Sequence, residues 1–192
     1  MSNERTQVKA PATPNERPET ARSTFDLTTK PDAFLGSDFV FGAYAEAASV
    51  VLTSYHELST RAASHWYHND KVQDARDIIW TEPTAVQKTT HGNAKDATEY
   101  GAYAIAFLIA AALDFVVVGR SEQGSGCDWI MRRASGGTET FKLEVSGIAQ
   151  GGSPGSRLAT KVKQGQTGTL KAPGLAVIVR FSEVSLHSED WT

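Results

Sequence analysis

Between residues 97 and 113 the chain reads ATEYGAYAIAFLIAAAL, with one charge at Glu99, and after a single Asp it continues as FVVVGR (115–120). The first segment fills four to five turns with strong helix formers, and Asn93 or Asp96 supplies a cap. A helix that is apolar almost all round must lie inside a domain. Three consecutive Val mark the second segment as a central strand buried on both faces. A buried helix that delivers the chain into a buried strand points to an α/β protein.

Composition bounds the rest. The chain has 192 residues, which suits one domain or one domain with a tail, and 40% of them are apolar, enough for a core. Nineteen Lys and Arg against 22 Asp and Glu give a net charge of −3, which excludes coating nucleic acid by bulk charge but leaves room for a local basic groove. A lone Cys127 excludes a disulfide framework within the chain and any multi-cysteine zinc module, and the five His show no metal-ligand spacing. The longest apolar run, Ala102 to Leu113, is too short to cross a bilayer, and no secretory segment opens the chain. A cytoplasmic protein with no membrane partner is expected.

Three regions follow from the pattern. Residues 1–24 are rich in Pro, Thr, Glu and Arg and bury too little surface to offset their ordering entropy, so they read as a disordered arm. Residues 25–92 read as an extension carrying a β-hairpin, with SVVLTSY (49–55) and ARDIIWT (75–81) as its strands and the polar stretch between them as a long tip. Residues 93–192 read as the core. Here the buried helix and FVVVGR are followed by CDWIMRR and TETFKLEVSGI around the turn ASGG, then by the basic amphipathic helix SRLATKVKQGQ and the strand LAVIVRFSEV (175–184). The element order of the core is α-β-β-β-α-β.

The hairpin around ASGG has a readable register. With Gly136 at the turn centre, Asp128 falls opposite Glu144 and Ile130 opposite Lys142, and opposed residues project to the same side. Trp129, Met131, Phe141, Leu143 and Val145 then form a core face. Asp128, Ile130, Lys142, Glu144 and Ser146 form the other. Two carboxylates facing each other across a ladder repel. A divalent cation offsets that repulsion, and so does a neighbouring Lys142. An ordinary solvated hairpin face is the plainer alternative.

The order α-β-β-β-α-β, with Asp128 in GSGCDWI and Glu144 sixteen residues on in KLEVSG, resembles the PD-(D/E)xK nuclease superfamily, whose restriction-endonuclease-like fold it implies over residues 93–184. The phrases ATEYGA, GSGCDWIM and FKLEVSG followed by KVKQ are also similar to a group of small bacterial proteins. The resemblance implies that Asp128 and Glu144 hold Mg²⁺ or Mn²⁺, with the Val145 carbonyl as a third ligand and Glu99 from the preceding helix as a further acid. It also implies a lysine two residues past the Glu, where this chain has Ser146. Lys142 is one substitute, and Lys161 or Lys163 on the following helix are others, with Gln164 as a polar partner. Arg157, Lys161 and Lys163 recur at helical spacing and suit backbone phosphates. The expected activity is metal-dependent hydrolysis of DNA phosphodiesters, RNA being the other candidate substrate, in bacterial defence or DNA processing.

Two other classes compete with that expectation. The missing motif lysine favours a non-catalytic subunit that keeps the fold and assembles with itself or a larger partner. An unrelated α/β binding module with a solvated acidic face is the third. The remaining conspicuous residues have plain readings: Trp66 and Tyr67 as packing residues, Cys127 as a strand filler without a paired His, and SEQGSG as a loop without the Gly-Lys-Ser/Thr ending of a phosphate loop.

Overall fold

A computed structural model describes residues 23–57 and 59–192. Nearly all of the N-terminal arm expected from composition lies outside these residues, and Thr24 already belongs to a strand. Strands β1 (Thr24–Asp26), β2 (Arg61–His68), β3 (Lys71–Val72), β4 (Arg76–Ile79), β5 (Phe115–Arg120), β6 (Trp129–Arg133), β7 (Phe141–Ile148), β8 (Gly174–Arg180) and β9 (Ser185–Trp191) alternate with helices α1 (Asp38–Tyr55), α2 (Ala85–Thr90), α3 (Ala94–Ala112) and α4 (Pro154–Thr167). The protein is a mixed α/β fold with four helices and one strongly curled nine-stranded sheet among the described residues. The strand order is β1-β4-β2-β9-β8-β7-β6-β5, with β3 paired to β2. No helix among the described residues is long and apolar enough to cross a membrane.

The run α3-β5-β6-β7-α4-β8 has the element order expected from the sequence. Strands β5, β6 and β7 form an antiparallel meander, and β8 joins β7 in parallel after the α4 crossover. The β6–β7 register is also the expected one: Trp129 pairs with Leu143, Ile130 with Lys142 and Met131 with Phe141.

The N-terminal half differs from its reading. SVVLTSY is not a strand but the last two turns of α1. Its Val-Val pair has β propensity, but the preceding GAYAEAA segment propagates a helix, and the buried positions Phe41, Ala45, Ala48 and Leu52 recur at helical spacing. That stripe packs on α3 at Gly101, where an added Cβ would come within 2.8 Å of the Ala48 Cα. The real hairpin pairs β2 with β4 antiparallel, so its first strand, RAASHWYH, comes from the polar stretch taken for a tip. The Asn69-Asp70 turn, with both residues at positive φ, starts the short β3. Strand β9, unread in the sequence, lies between β8 and β2 and joins the N-terminal hairpin to the core sheet.

Both faces of the sheet are covered. The larger core holds the odd-numbered face of β6–β7 (Trp129, Met131, Leu143, Val145) with α1 and α3. The opposite face carries a smaller cluster of Ile148, Leu158, Ala176, Ile178 and Trp191 under α4. The face with Lys142 and Glu144 is therefore roofed by a helix, against the alternative of a merely solvated hairpin face, and these two residues are 1% and 0% exposed.

Candidate functional site

Four elements converge where β7 passes under α4. Asp128 precedes β6, and its amide donates to the carbonyl of Leu143, the partner of Trp129, which keeps it bonded to β7 just beyond the paired stretch. Its Oδ2 accepts the Val145 amide at 2.9 Å. Glu144 points from β7 toward α4, where Lys161 Nζ lies 2.7 Å from Oε2 and Gln164 Nε2 lies 3.3 Å from Oε1. The same Lys161 ammonium lies 3.9 Å from Asp128 Oδ2. Lys161 and Gln164 are three apart and so share one helix face. The two carboxylates thus share one positive charge, delivered by α4.

Helix α3 contributes the third acid, one contact removed. The Tyr103 hydroxyl lies 3.0 Å from Glu99 Oε1 and 3.3 Å from Asp128 Oδ1. A phenol has one proton, so it donates to one of these carboxylates at a time. The N-terminal part of α3 sits tightly on β7, because a Cβ at Gly147 would overlap the Thr98 carbonyl oxygen. The Asn93 side chain caps this end through the Lys95 and Asp96 amides.

Burial controls the protonation of these groups. Desolvation pushes the Glu144 carboxyl up to about 7, the Lys161 hydrogen bond works against it, and the Asp128 charge adds to it. Burial also raises the Tyr103 phenol, with the Asp128 charge acting in the same direction, so this hydroxyl keeps its proton at neutral pH.

The expected site residues separate into two groups. Asp128, Glu144, Lys161 and Gln164 meet, Glu99 joins through Tyr103, and Val145 contributes its amide to Asp128. Arg157 lines the same cleft and its Nη1 donates to Ser146 Oγ at 3.3 Å. Lys142 turns away: its ammonium donates to the carbonyls of Gly165 and of Leu170, the latter at 2.7 Å, beyond the far end of α4. Lys163 is exposed and lines neither lobe of the cleft. Tyr103 and Arg120 were not anticipated. Tyr103 follows Glu99 by four residues, one helical turn, and that spacing was the available signal.

The cleft has two lobes that share Glu99 and Asp128. One, of about 570 Å³, is lined by Lys95, Thr98, Ser146, Arg157 and Lys161, and the other, of about 420 Å³, by Tyr103, Arg120, Glu144 and Gln164. The acidic pair itself offers carboxylate oxygens, ligands suited to Mg²⁺ or Mn²⁺ rather than to softer metals. Among the described residues no three His, Cys, Asp or Glu side chains form a metal-holding group, consistent with Glu99 reaching the pair through a phenol. Comparison with protein-family models, with curated proteins and with solved structures gives no match.

Proposed function

We propose that this chain is a metal-dependent nuclease that hydrolyses DNA phosphodiester bonds, with α3, β5, β6, β7, α4 and β8 as a restriction-endonuclease-like core and a role in bacterial defence or DNA processing. One observation carries the reading. Lys161 Nζ stands 2.7 Å from Glu144 and 3.9 Å from Asp128, which completes an acid–acid–lysine set even though Ser146 occupies the motif position. The acid pair already holds one cation, nearer Glu144 than Asp128, which supports its fitness to attract another of oxygen-seeking character.

In this mechanism Asp128 and Glu144 would hold Mg²⁺ or Mn²⁺, which would supply a water of lowered pKa and charge neutralisation for the phosphoryl oxygens. Glu144, buried and poised near neutrality, must be ionised to do so, and Lys161 favours that state. The Lys161 ammonium then orients the attacking water and the scissile phosphate by donated hydrogen bonds. Tyr103 fixes the Asp128 carboxylate from the opposite side, and the Val145 amide holds its second oxygen. Lys95 and Arg157 supply sequence-independent attraction for flanking phosphates.

The test is cleavage of supercoiled plasmid with Mg²⁺ or Mn²⁺. Asp128→Asn and Glu144→Gln are expected to abolish cutting while leaving the melting temperature near that of the wild type or above it. Cutting that survived both substitutions would overturn the assignment.

A second reading, a non-catalytic subunit assembling with itself or a larger partner, draws support from the exposed apolar side chains Leu35 and Phe39, 64% and 84% accessible. It predicts no cutting by the isolated chain and a stable oligomer or hetero-complex by light scattering.

A further inference from the structure

The smaller lobe shares Tyr103 and Gln164 with the acidic pair and sets one cation, Arg120, among the carboxylates of Glu99, Glu122, Asp128 and Glu144. Arg120 ends β5, and its guanidinium carbon lies 4.9 Å from the ring centres of both Tyr103 and Trp129. Two aromatic faces therefore fix its plane. Its side chain is nonetheless exposed to the lobe, and it forms no salt bridge among the described residues. Tyr100, outside the lining of the lobe but next to Tyr103, is 40% exposed. The Tyr100 ring is 5.7 Å from that of Tyr44, tilted by 31°, and 6.3 Å from that of Tyr103, which lines the lobe. Tyr100 thus has one side backed by aromatic carbon and another open to solvent.

Charge is disposed on both sides of the acidic pair. Lys95, Arg157 and Lys161 stand in the larger lobe and Arg120 in the smaller, while Glu99 and Asp128 belong to both. A polyanionic strand lying across Asp128 meets a fixed positive group before it and another after it.

We propose that the smaller lobe and the aromatic surface next to it form a subsite for one nucleotide of a single DNA strand, with Arg120 of the lobe on its phosphate and the Tyr100–Tyr44 pair, which adjoins the lobe through Tyr103, under its base. This rests on the reading of the acidic pair as a phosphodiester site and names the form of substrate that site takes. In a duplex both faces of each base are stacked on neighbouring bases, so only an unpaired or displaced base offers a face to Tyr100. Base–aromatic stacking tolerates any sequence, so the preference is for strandedness and not for a motif.

The experiment is fluorescence anisotropy with a labelled oligothymidylate and with a duplex of the same length, in Ca²⁺ so that association is followed without Mg²⁺-dependent cutting. The single strand is expected to bind at least about ten times more tightly than the duplex. Tyr100→Ala is expected to weaken single-strand binding about 5- to 100-fold, and Tyr100→Phe to retain it. Arg120→Gln is expected to weaken binding and to flatten the salt dependence by about one released counterion. Thermal melting of each variant checks folding, and the Tyr100 pair, at an exposed position, decides alone if the Arg120 variant does not fold. Equal affinity for both forms, or a Tyr100→Ala variant that binds like wild type, overturns the subsite. Cutting of the same strand in Mg²⁺ is measured in parallel. Tyr100-dependent binding without any cutting supports the subsite and defeats the nuclease reading, whereas cutting indifferent to Tyr100 does the reverse.

Discussion

The ammonium of Lys161 lies 2.7 Å from a carboxylate oxygen of Glu144 that has no exposure to solvent. The two residues come from different layers, α4 and β7, so this contact ties the helix to the sheet at the site itself. A buried carboxylate that loses its cation keeps the desolvation cost without the attraction.

The two buried-face lysines are therefore expected to separate by role. Lys161→Met leaves Glu144 unpaired and costs about 3 kcal/mol at pH 8, with a smaller loss near pH 6, where Glu144 takes up a proton; the double variant with Glu144→Gln recovers most of it. Cutting falls by about 100-fold or more in Lys161→Met. Lys142→Met removes the donor to the Gly165 and Leu170 carbonyls and costs about 2 kcal/mol, but it leaves divalent-cation uptake intact. Urea denaturation and titration calorimetry check both, and the reverse pattern would assign the active lysine to residue 142.

Metal-free protein is expected to lose stability as pH rises. Glu144 ionises near 7 in the folded chain against an ordinary value of 4.5, so the folded state holds its proton more tightly than the unfolded state does. Stability from this group is full below about 4.5 and is lost between there and about 7, by on the order of 3 kcal/mol at most. Glu144→Gln carries no such proton, and its melting temperature stays flatter over that window. Thermal melts in EDTA at stepped pH provide the comparison.

Cation uptake competes with Lys161 for the same carboxylates. Titration with Mn²⁺ is expected to show one binding event that Asp128→Asn or Glu144→Gln removes. Lys161→Met tightens it several-fold while cutting is lost. Glu99→Gln, at a residue that meets Asp128 only through Tyr103, weakens it less than either loss. Heat absent from the wild type in this titration would argue for the subunit reading.

Gly147→Ala is expected to damage fold and site together. The new methyl overlaps the Thr98 carbonyl, so α3 must move off β7, and Glu99 is the next residue along. The cost is about 3 kcal/mol or more, at the upper end for overpacking against rigid backbone. Ala is well tolerated by strands in open surroundings, so a melting temperature equal to wild type would mean that the helix–strand approach is looser than the structure has it.

The core was legible because its signals were local and mutually consistent. The turn glycines and the alternation on either side of ASGG set the β6–β7 register over Trp129 to Met131, and with it the nearness of Asp128 and Glu144 to one lysine. The choice between Lys142 and Lys161 was not legible, since both fall on the same side of the sheet and only the placement of α4 separates them. Strand direction told where the Lys142 side chain leaves the backbone, not that carbonyls at the end of α4 would collect it. In the N-terminal half, β2 hid itself because only Ser64 and Trp66 of its eight residues are buried, which leaves a polar string with little apolar alternation. The β-branched pair in α1 misled for the opposite reason, since packing against α3 outweighs a weak local preference.

Lys142 also has a consequence for tinkering at a distance. By gripping the carbonyls of Gly165 and Leu170 from within the sheet, it acts as a rear mooring for the helix whose middle turn presents Lys161. Slippage of α4 by a single turn, about 5.4 Å, would break the mooring and carry Lys161 out of reach of Glu144. Edits to the short connector after α4 are thus levers on the business end.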